Sequence, residues 1–126
     1  MSRFATIESG MLTVQIFGVK NSQATRAAER FFKERRVAFQ SVDLKQKPMA
    51  PREIQRFVDR FGLPSLLDTE GKPYIDAGLK YLKQSDAELL ARIEREPALL
   101  RLPLVRAASR VSVGRDENAW KAMLEA

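Results

Sequence analysis

Apolar residues in this chain recur at two periods, about 2 in some segments and about 3.6 in others, the signatures of strands and helices. Leu12-Thr13-Val14-Gln15-Ile16-Phe17 is β-branched and apolar and predicts a strand, which Gly18 ends. Asn21 or Ser22 can then cap a helix, because a short polar side chain satisfies the free amides of a first turn. Ala24, Ala27, Ala28, Phe31 and Phe32 follow at helical spacing up to about Arg35. Val37 to Leu44 alternates again and predicts a second strand. A strand–helix–strand unit of this length implies a parallel pair joined by a crossover.

Pro48 to Pro51 interrupts the pattern, and Pro51 suits the first turn of a helix. Ile54, Phe57, Val58 and Phe61 form the apolar face of that helix, and Gly62 stops it. Residues 63–76 read as irregular, with Pro64, Gly71 and Pro73. A third helical region is expected around Leu79, Tyr81 and Leu82. A fourth should start at Ser85, where Glu88 three residues later completes a capping box, and run to about Pro97. Leu104–Ala107 and Arg110–Val113 predict a hairpin about Ala108-Ser109, a turn without the usual Asn-Gly signal. Asp116 can cap a last helix, Glu117 to Leu124, with Trp120 and Leu124 on one face.

The pattern predicts an α/β fold of about four strands, a mixed sheet of thioredoxin/glutaredoxin type. A βαβ half (12–44) and a ββα half (103–126) flank an inserted helical region (50–97). Residues 12–126 read as a single domain and 1–11 as an N-terminal tail, with Met11 an alternative start.

Composition narrows the chemistry. There is no cysteine and no histidine. That excludes a thiol nucleophile, a thiol–disulfide cycle within the chain, a Ser-His-Asp triad, and zinc held by sulfur or imidazole. Asp43, Asp68, Glu70 and Asp76 offer oxygen ligands, but their spacing matches no calcium or magnesium loop, so no metal and no cofactor is expected. The net charge of +6, from 22 Lys+Arg against 16 Asp+Glu, is spread along the chain. It reads as a solvated basic surface. Tyr74, Tyr81 and Trp120 are too scattered for a stacking platform, so nucleic acid is not the expected partner. No apolar run approaches a membrane span, and Met1 to Gly10 lacks the apolar core of a secretory signal. A cytoplasmic location is expected.

Three segments together resemble the ArsC/Spx family, which includes arsenate reductases and Spx-type transcription regulators. The first is the strand end Phe17-Gly18-Val19-Lys20-Asn21-Ser22 with Arg26 in the following helix. The second is Glu96 to Val105, a helix end leading into a Pro103 strand start. The third is Val111 to Glu117. The resemblance spans residues 12–125 and implies a thioredoxin-like fold with a cis Leu102–Pro103 bond facing the first turn.

It also implies chemistry that this chain cannot perform in full. The family's reductases use a cysteine at the start of the first helix, where free amides and the helix dipole favour the thiolate and hold the oxyanion. Ser22 stands in that place. A serine hydroxyl is a poor nucleophile without a base. The arginine preceding the signature proline is replaced by Leu102, although Arg101 keeps the basic place before it. Asp68 stands where the loop after the second helix would carry another arginine. Lys20, Asn21, Ser22, Arg26, Arg101 and Arg115 remain as candidate anion-binding residues, and Arg106 could join them. Each also has a plainer reading, Ser22 as an N-cap and the basic residues as solvated surface. No catalytic residue is expected.

Two functions stay open. One is an interaction or regulatory protein on the ArsC/Spx fold, for which the resemblance implies an RNA polymerase α-subunit partner. The other is an arsenate reductase-like binder of an oxyanion or glutathione, with residual or no reductase activity.

Overall fold

The computed structural model describes residues 13–125. The expected N-terminal tail, the alternative start at Met11, and Leu12 lie outside the described residues. The elements are β1 (Val14–Gly18), α1 (Gln23–Glu34), β2 (Phe39–Asp43), α2 (Pro51–Phe61), α3 (Lys72–Asp76), α4 (Asp86–Arg95), β3 (Leu104–Ala107), β4 (Arg110–Val113) and α5 (Glu117–Met123). Short 3-10 turns at Leu63–Leu66, Leu79–Tyr81 and Pro97–Leu99 link the helices of the middle segment.

The four strands form one mixed sheet in the order β2-β1-β3-β4. β1 is parallel to β2, with Val14 opposite Phe39 and Gly18 opposite Asp43. β1 is antiparallel to β3, with Phe17 opposite Leu104, and β3 is antiparallel to β4, with Leu104 opposite Val113. This is the thioredoxin/glutaredoxin-type mixed sheet with an inserted helical region.

Because strand side chains alternate between faces, the two inner strands feed two separate cores. Val14 and Ile16 of β1 and Val105 and Ala107 of β3 pack with Ala27, Ala28, Phe31 and Phe32 of α1 and with Trp120 and Met123 of α5. Trp120 lies 5.4 Å from the Phe31 ring and 6.3 Å from the Phe32 ring, centroid to centroid. Phe17 and Leu104 point the other way, into a cluster with Ile54 and Phe57 of α2, Ile93 of α4, and Leu63, Leu66, Leu99 and Leu100 from the linking turns. Phe17 and Phe57 meet edge to face at 6.2 Å.

The irregular reading of residues 63–76 is corrected in part. A 3-10 turn and the short helix α3 form there, each with a proline in its first turn where the missing N–H costs nothing. The helix expected around Leu79, Tyr81 and Leu82 is only a single 3-10 turn. Gly78 precedes it in the left-handed region at φ 66, and of the three apolar residues only Leu79 is buried. One buried residue gives a longer helix nothing to pack against.

The hairpin turn forms as paired, with Ala107 opposite Arg110. Ala108 takes φ 57, a left-handed conformation usually left to Gly or Asn, so the turn forms with an alanine where its usual signal would stand. The middle segment is tied to the sheet's approach by an isolated bridge between Leu67 and Leu100, with Arg101 N–H donating to Leu66 C=O at 2.7 Å and Asp68 N–H to Leu99 C=O at 2.9 Å.

The capping box of α4 is complete. Glu88 N–H donates to Ser85 Oγ at 3.2 Å, and Ser85 N–H donates to Glu88 Oε1 at 2.8 Å. The bond from the Ser85 amide, helped by the Ser85 side chain, holds the Glu88 carboxyl below its ordinary value. A carboxyl with a depressed native pKa stabilises the fold above its unfolded pKa and loses that contribution as pH falls through its folded one. Urea midpoints of the chain and of Glu88→Gln should therefore differ at pH 7 and converge as the pH is lowered toward 3. A constant difference would separate Glu88 from the cap.

Candidate functional site

The candidate residues gather where β1 ends. Gly18 carries the chain out of the sheet, and its C=O accepts from Leu44 N–H at 2.8 Å. A Cβ built on Gly18 would lie 2.3 Å from Thr25 Oγ1, so glycine is what lets the first turn of α1 close against the strand. Val19 is buried in the α2-side core, while Lys20 and Asn21 are exposed. Ser22 N–H donates to Val19 C=O at 3.1 Å, which closes the turn.

Ser22 is the N-cap of α1. Its Oγ accepts from Thr25 N–H at 3.1 Å. The hydroxyl is therefore engaged with the amide that would otherwise face an anion. Arg26 turns back and donates from its guanidinium to Lys20 C=O at 3.2 Å. Lys20 and Arg26 line one cleft, of about 450 Å³, together with Thr25, Glu29, Ser41, Asp43 and Gln46. Two cations there face two carboxylates, and Glu29 accepts from Ser41 Oγ.

The strand register brings further candidates to the same end of the sheet. Phe17, Leu104 and Val113 are neighbours across β1, β3 and β4, so Pro103 and Gly114 lie just beyond them. The Leu102–Pro103 peptide is cis, and Pro103 is fully buried. Gly114, at φ 72, donates its N–H to Pro103 C=O at 2.9 Å. The stem of Arg101 runs across Gly114, where an added Cβ would come 3.0 Å from Arg101 Cγ. Arg101 lines a second cleft with Leu102, Asp68, Thr69 and Glu70. Its cation is set beside two acids. Arg115 is exposed and faces Glu117 at 3.4 Å.

Thus Lys20, Asn21, Ser22 and Arg26 form one turn, while Arg101, Pro103 and Arg115 meet around Gly114. Arg106 stands apart. It lies two residues deeper along β3 on the α2 side, where it donates to Gln15 Oε1 at 2.7 Å and lies 3.9 Å from Glu53. Thr25, Asp43 and Gln46 belong to the first cleft; Thr25 and Gln46 carry no functional signal in the sequence, and Asp43 reads there only as an oxygen donor without metal-loop spacing. The pairing of Gly18 with Asp43, together with the Leu44–Gly18 hydrogen bond, brings the end of β2 to this turn. Among the described residues no group of three or more His, Cys, Asp or Glu could hold a metal ion, and no helix is long and apolar enough to cross a membrane.

With this geometry in view, likeness to known proteins becomes informative. A four-stranded mixed sheet with a capped helix leaving β1 and a buried cis-proline beside it is the thioredoxin-like arrangement. The chain matches the ArsC family over residues 17–123 and belongs to that family. It is 25% identical over 113 residues to the global transcriptional regulator Spx of Streptococcus pneumoniae, covering 88% of this chain and 85% of that protein. It is 27% identical over 109 residues to the global transcriptional regulator Spx 2 of Oceanobacillus iheyensis, covering 85% and 80%. An arsenate reductase from Vibrio cholerae shares the fold with a TM-score of 0.77 at 18% identity, over 90% of this chain and 98% of that one.

Two substitutions test the local argument. Ser22→Ala should cost about 1 kcal/mol in chemical denaturation, the usual loss of a cap, and Ser22→Asp should restore most of it. An equal loss in both would show that capping is not what Ser22 contributes. Gly18→Ala should cost roughly 1–3 kcal/mol through overpacking against Thr25. Thr25 Oγ1 is buried with no hydrogen-bond partner among the described residues, so Thr25→Ala leaves no polar group stranded. The double variant should then be less destabilised than the sum of the singles. Strict additivity would remove the contact.

Proposed function

We propose that this chain is a redox-inactive member of the ArsC family that acts by binding a macromolecular partner, with the RNA polymerase α subunit as that partner. The observation that carries the reading is Ser22. It occupies the place of the family's nucleophile, it cannot enter a disulfide cycle, and its hydroxyl is already taken by the Thr25 amide. The surrounding cations support the same reading. Arg26 is turned to Lys20 C=O, Arg115 faces Glu117, and Arg101 shares its cleft with Asp68 and Glu70. An incoming oxyanion would have to displace these contacts or tolerate the acids.

Two further points favour a protein partner. The relatives at 25% and 27% identity are transcriptional regulators, and in the ArsC/Spx resemblance the regulator branch engages the polymerase α subunit. The inserted segment also leaves three large apolar side chains exposed within eight residues: Ile75 at 62%, Tyr81 at 83% and Leu82 at 50%. Exposed side chains of this size offer apolar surface that a partner could cover.

Calorimetric titration with the purified C-terminal domain of a bacterial polymerase α subunit should give a saturable isotherm. In the same preparation, glutathione should leave Tm unchanged, and arsenate should not move the amide resonances of residues 21–26. Absence of α-subunit binding, together with arsenate- or glutathione-dependent changes at that turn, would replace the proposal with the oxyanion- or glutathione-binding reading.

A further inference from the structure

We infer that the cleft between α2 and the β3–β4 hairpin is a binding site for the phosphate group of a small phosphorylated ligand, separate from the Ser22 turn. α2 carries Arg52, Arg56 and Arg60 at intervals of four, which places them along one side of the helix. Arg56 and Arg60 reach the rim of a cleft of about 320 Å³ that they line with Asp59, Arg106, Ala108, Ser109 and Val111. None of these residues lines the cleft at Lys20 and Arg26 or the cleft at Arg101. The site therefore draws on side chains that the family's nucleophile turn does not use.

Arg106 is the fixed member. It rises from an inner strand, and its side chain is 23% exposed. A row of pairs across the sheet sets its position. Gln15 lies between Gln40 and Arg106 in the register, donating to Gln40 Oε1 at 3.4 Å and accepting from Arg106 at 2.7 Å. Glu53 holds the guanidinium only at 3.9 Å, and Arg106 Nε is buried without a hydrogen-bond partner among the described residues. A half-buried guanidinium oriented by a neutral amide and only loosely met by its carboxylate retains donor capacity and charge. Arg56 and Arg60, both exposed, stand over it from the helix.

The charges decide the class of ligand. Three arginines oppose Glu53 and Asp59, a net of +1, and Arg52 one turn away raises it to +2. Asp59 is turned partly to its own helix, accepting from Gln55 at 2.7 Å. Guanidinium forks arriving from a helix and from a sheet suit a tetrahedral anion, which accepts hydrogen bonds in several directions, better than a planar carboxylate. Ala108 and Val111 supply a short apolar wall for the organic part of a phosphate ester.

The test uses the intact chain at constant ionic strength, with inorganic phosphate and a nucleoside monophosphate as probes and chloride as the balancing anion. Both probes should shift the arginine Nε–H resonances of Arg56, Arg60 and Arg106 saturably in NMR. Arg56→Gln and Arg60→Gln should each weaken binding roughly tenfold, the scale of one charge-assisted hydrogen bond. Asp59→Asn should tighten it. These three positions are exposed on α2, so unchanged Tm values establish that the variants remain folded. Ser22→Ala should leave the affinity unaltered, which keeps this site distinct from the nucleophile turn whatever becomes of the polymerase proposal. The inference is overturned by shifts that do not saturate, or by shifts confined to residues 20–26. It is equally overturned if only a DNA duplex binds, with shifts across basic residues of the whole surface.

Discussion

β1 and β3 are the inner strands of a four-stranded sheet, and each has to bury both of its faces. Val14 and Ile16 leave one side of β1 while Phe17 leaves the other, and Val105 and Ala107 oppose Leu104 in the same way. Two layers of helices are needed to cover such a pair. α1 and α5 supply one, and the inserted helices with their 3-10 turns supply the other. The chain crosses out of the sheet into the first layer at the end of β1, and crosses back into the sheet from the second layer at the start of β3. Both crossings fall at the same end of the sheet, which puts the Ser22 turn near the buried Pro103.

That shared end has the shape of a reactive centre and a different electrostatic character. A helix N-terminus pointing free amides outward attracts anions. Here the N-cap hydroxyl takes the Thr25 amide, Arg26 folds onto the Lys20 carbonyl, and Asp43, Asp68 and Glu70 stand among the remaining cations. The cations at this end of the sheet therefore share their clefts with carboxylates from the protein itself. A surface built on rigid elements can serve recognition without a nucleophile, because recognition depends on shape and exposed side chains.

The strands and the long helices were legible because their periodicity is strong and local. The Ser85–Glu88 box, the Pro51 start and the Gly62 stop of α2 all appear where the residues indicate. Residues 63–82 were harder. Pro64, Gly71 and Pro73 read as breakers, yet the two prolines begin short helical turns whose existence depends on contact with the rest of the fold. The site was half legible. The Lys20–Arg26 turn is contiguous in sequence, so its members could be named together. Asp43 and Gln46 could not, since they reach the turn only through β1–β2 pairing. Arg106 looked equivalent to Arg101 and Arg115, and only alternation along β3 sends it to the α2 face.

What the sequence alone determined is what depends on residue type and near neighbours. It set the order of elements, excluded thiol and imidazole chemistry, and placed serine at the start of α1. Tertiary structure decided which charges meet. A side chain's partner across the sheet is a matter of register, and register is settled by how two apolar faces are buried together rather than by any local signal. That is why Arg106, on β3, meets Gln15 and Glu53, while Arg101, just outside the strands, lines a cleft with Asp68, although both arginines lie within six residues of each other in the chain.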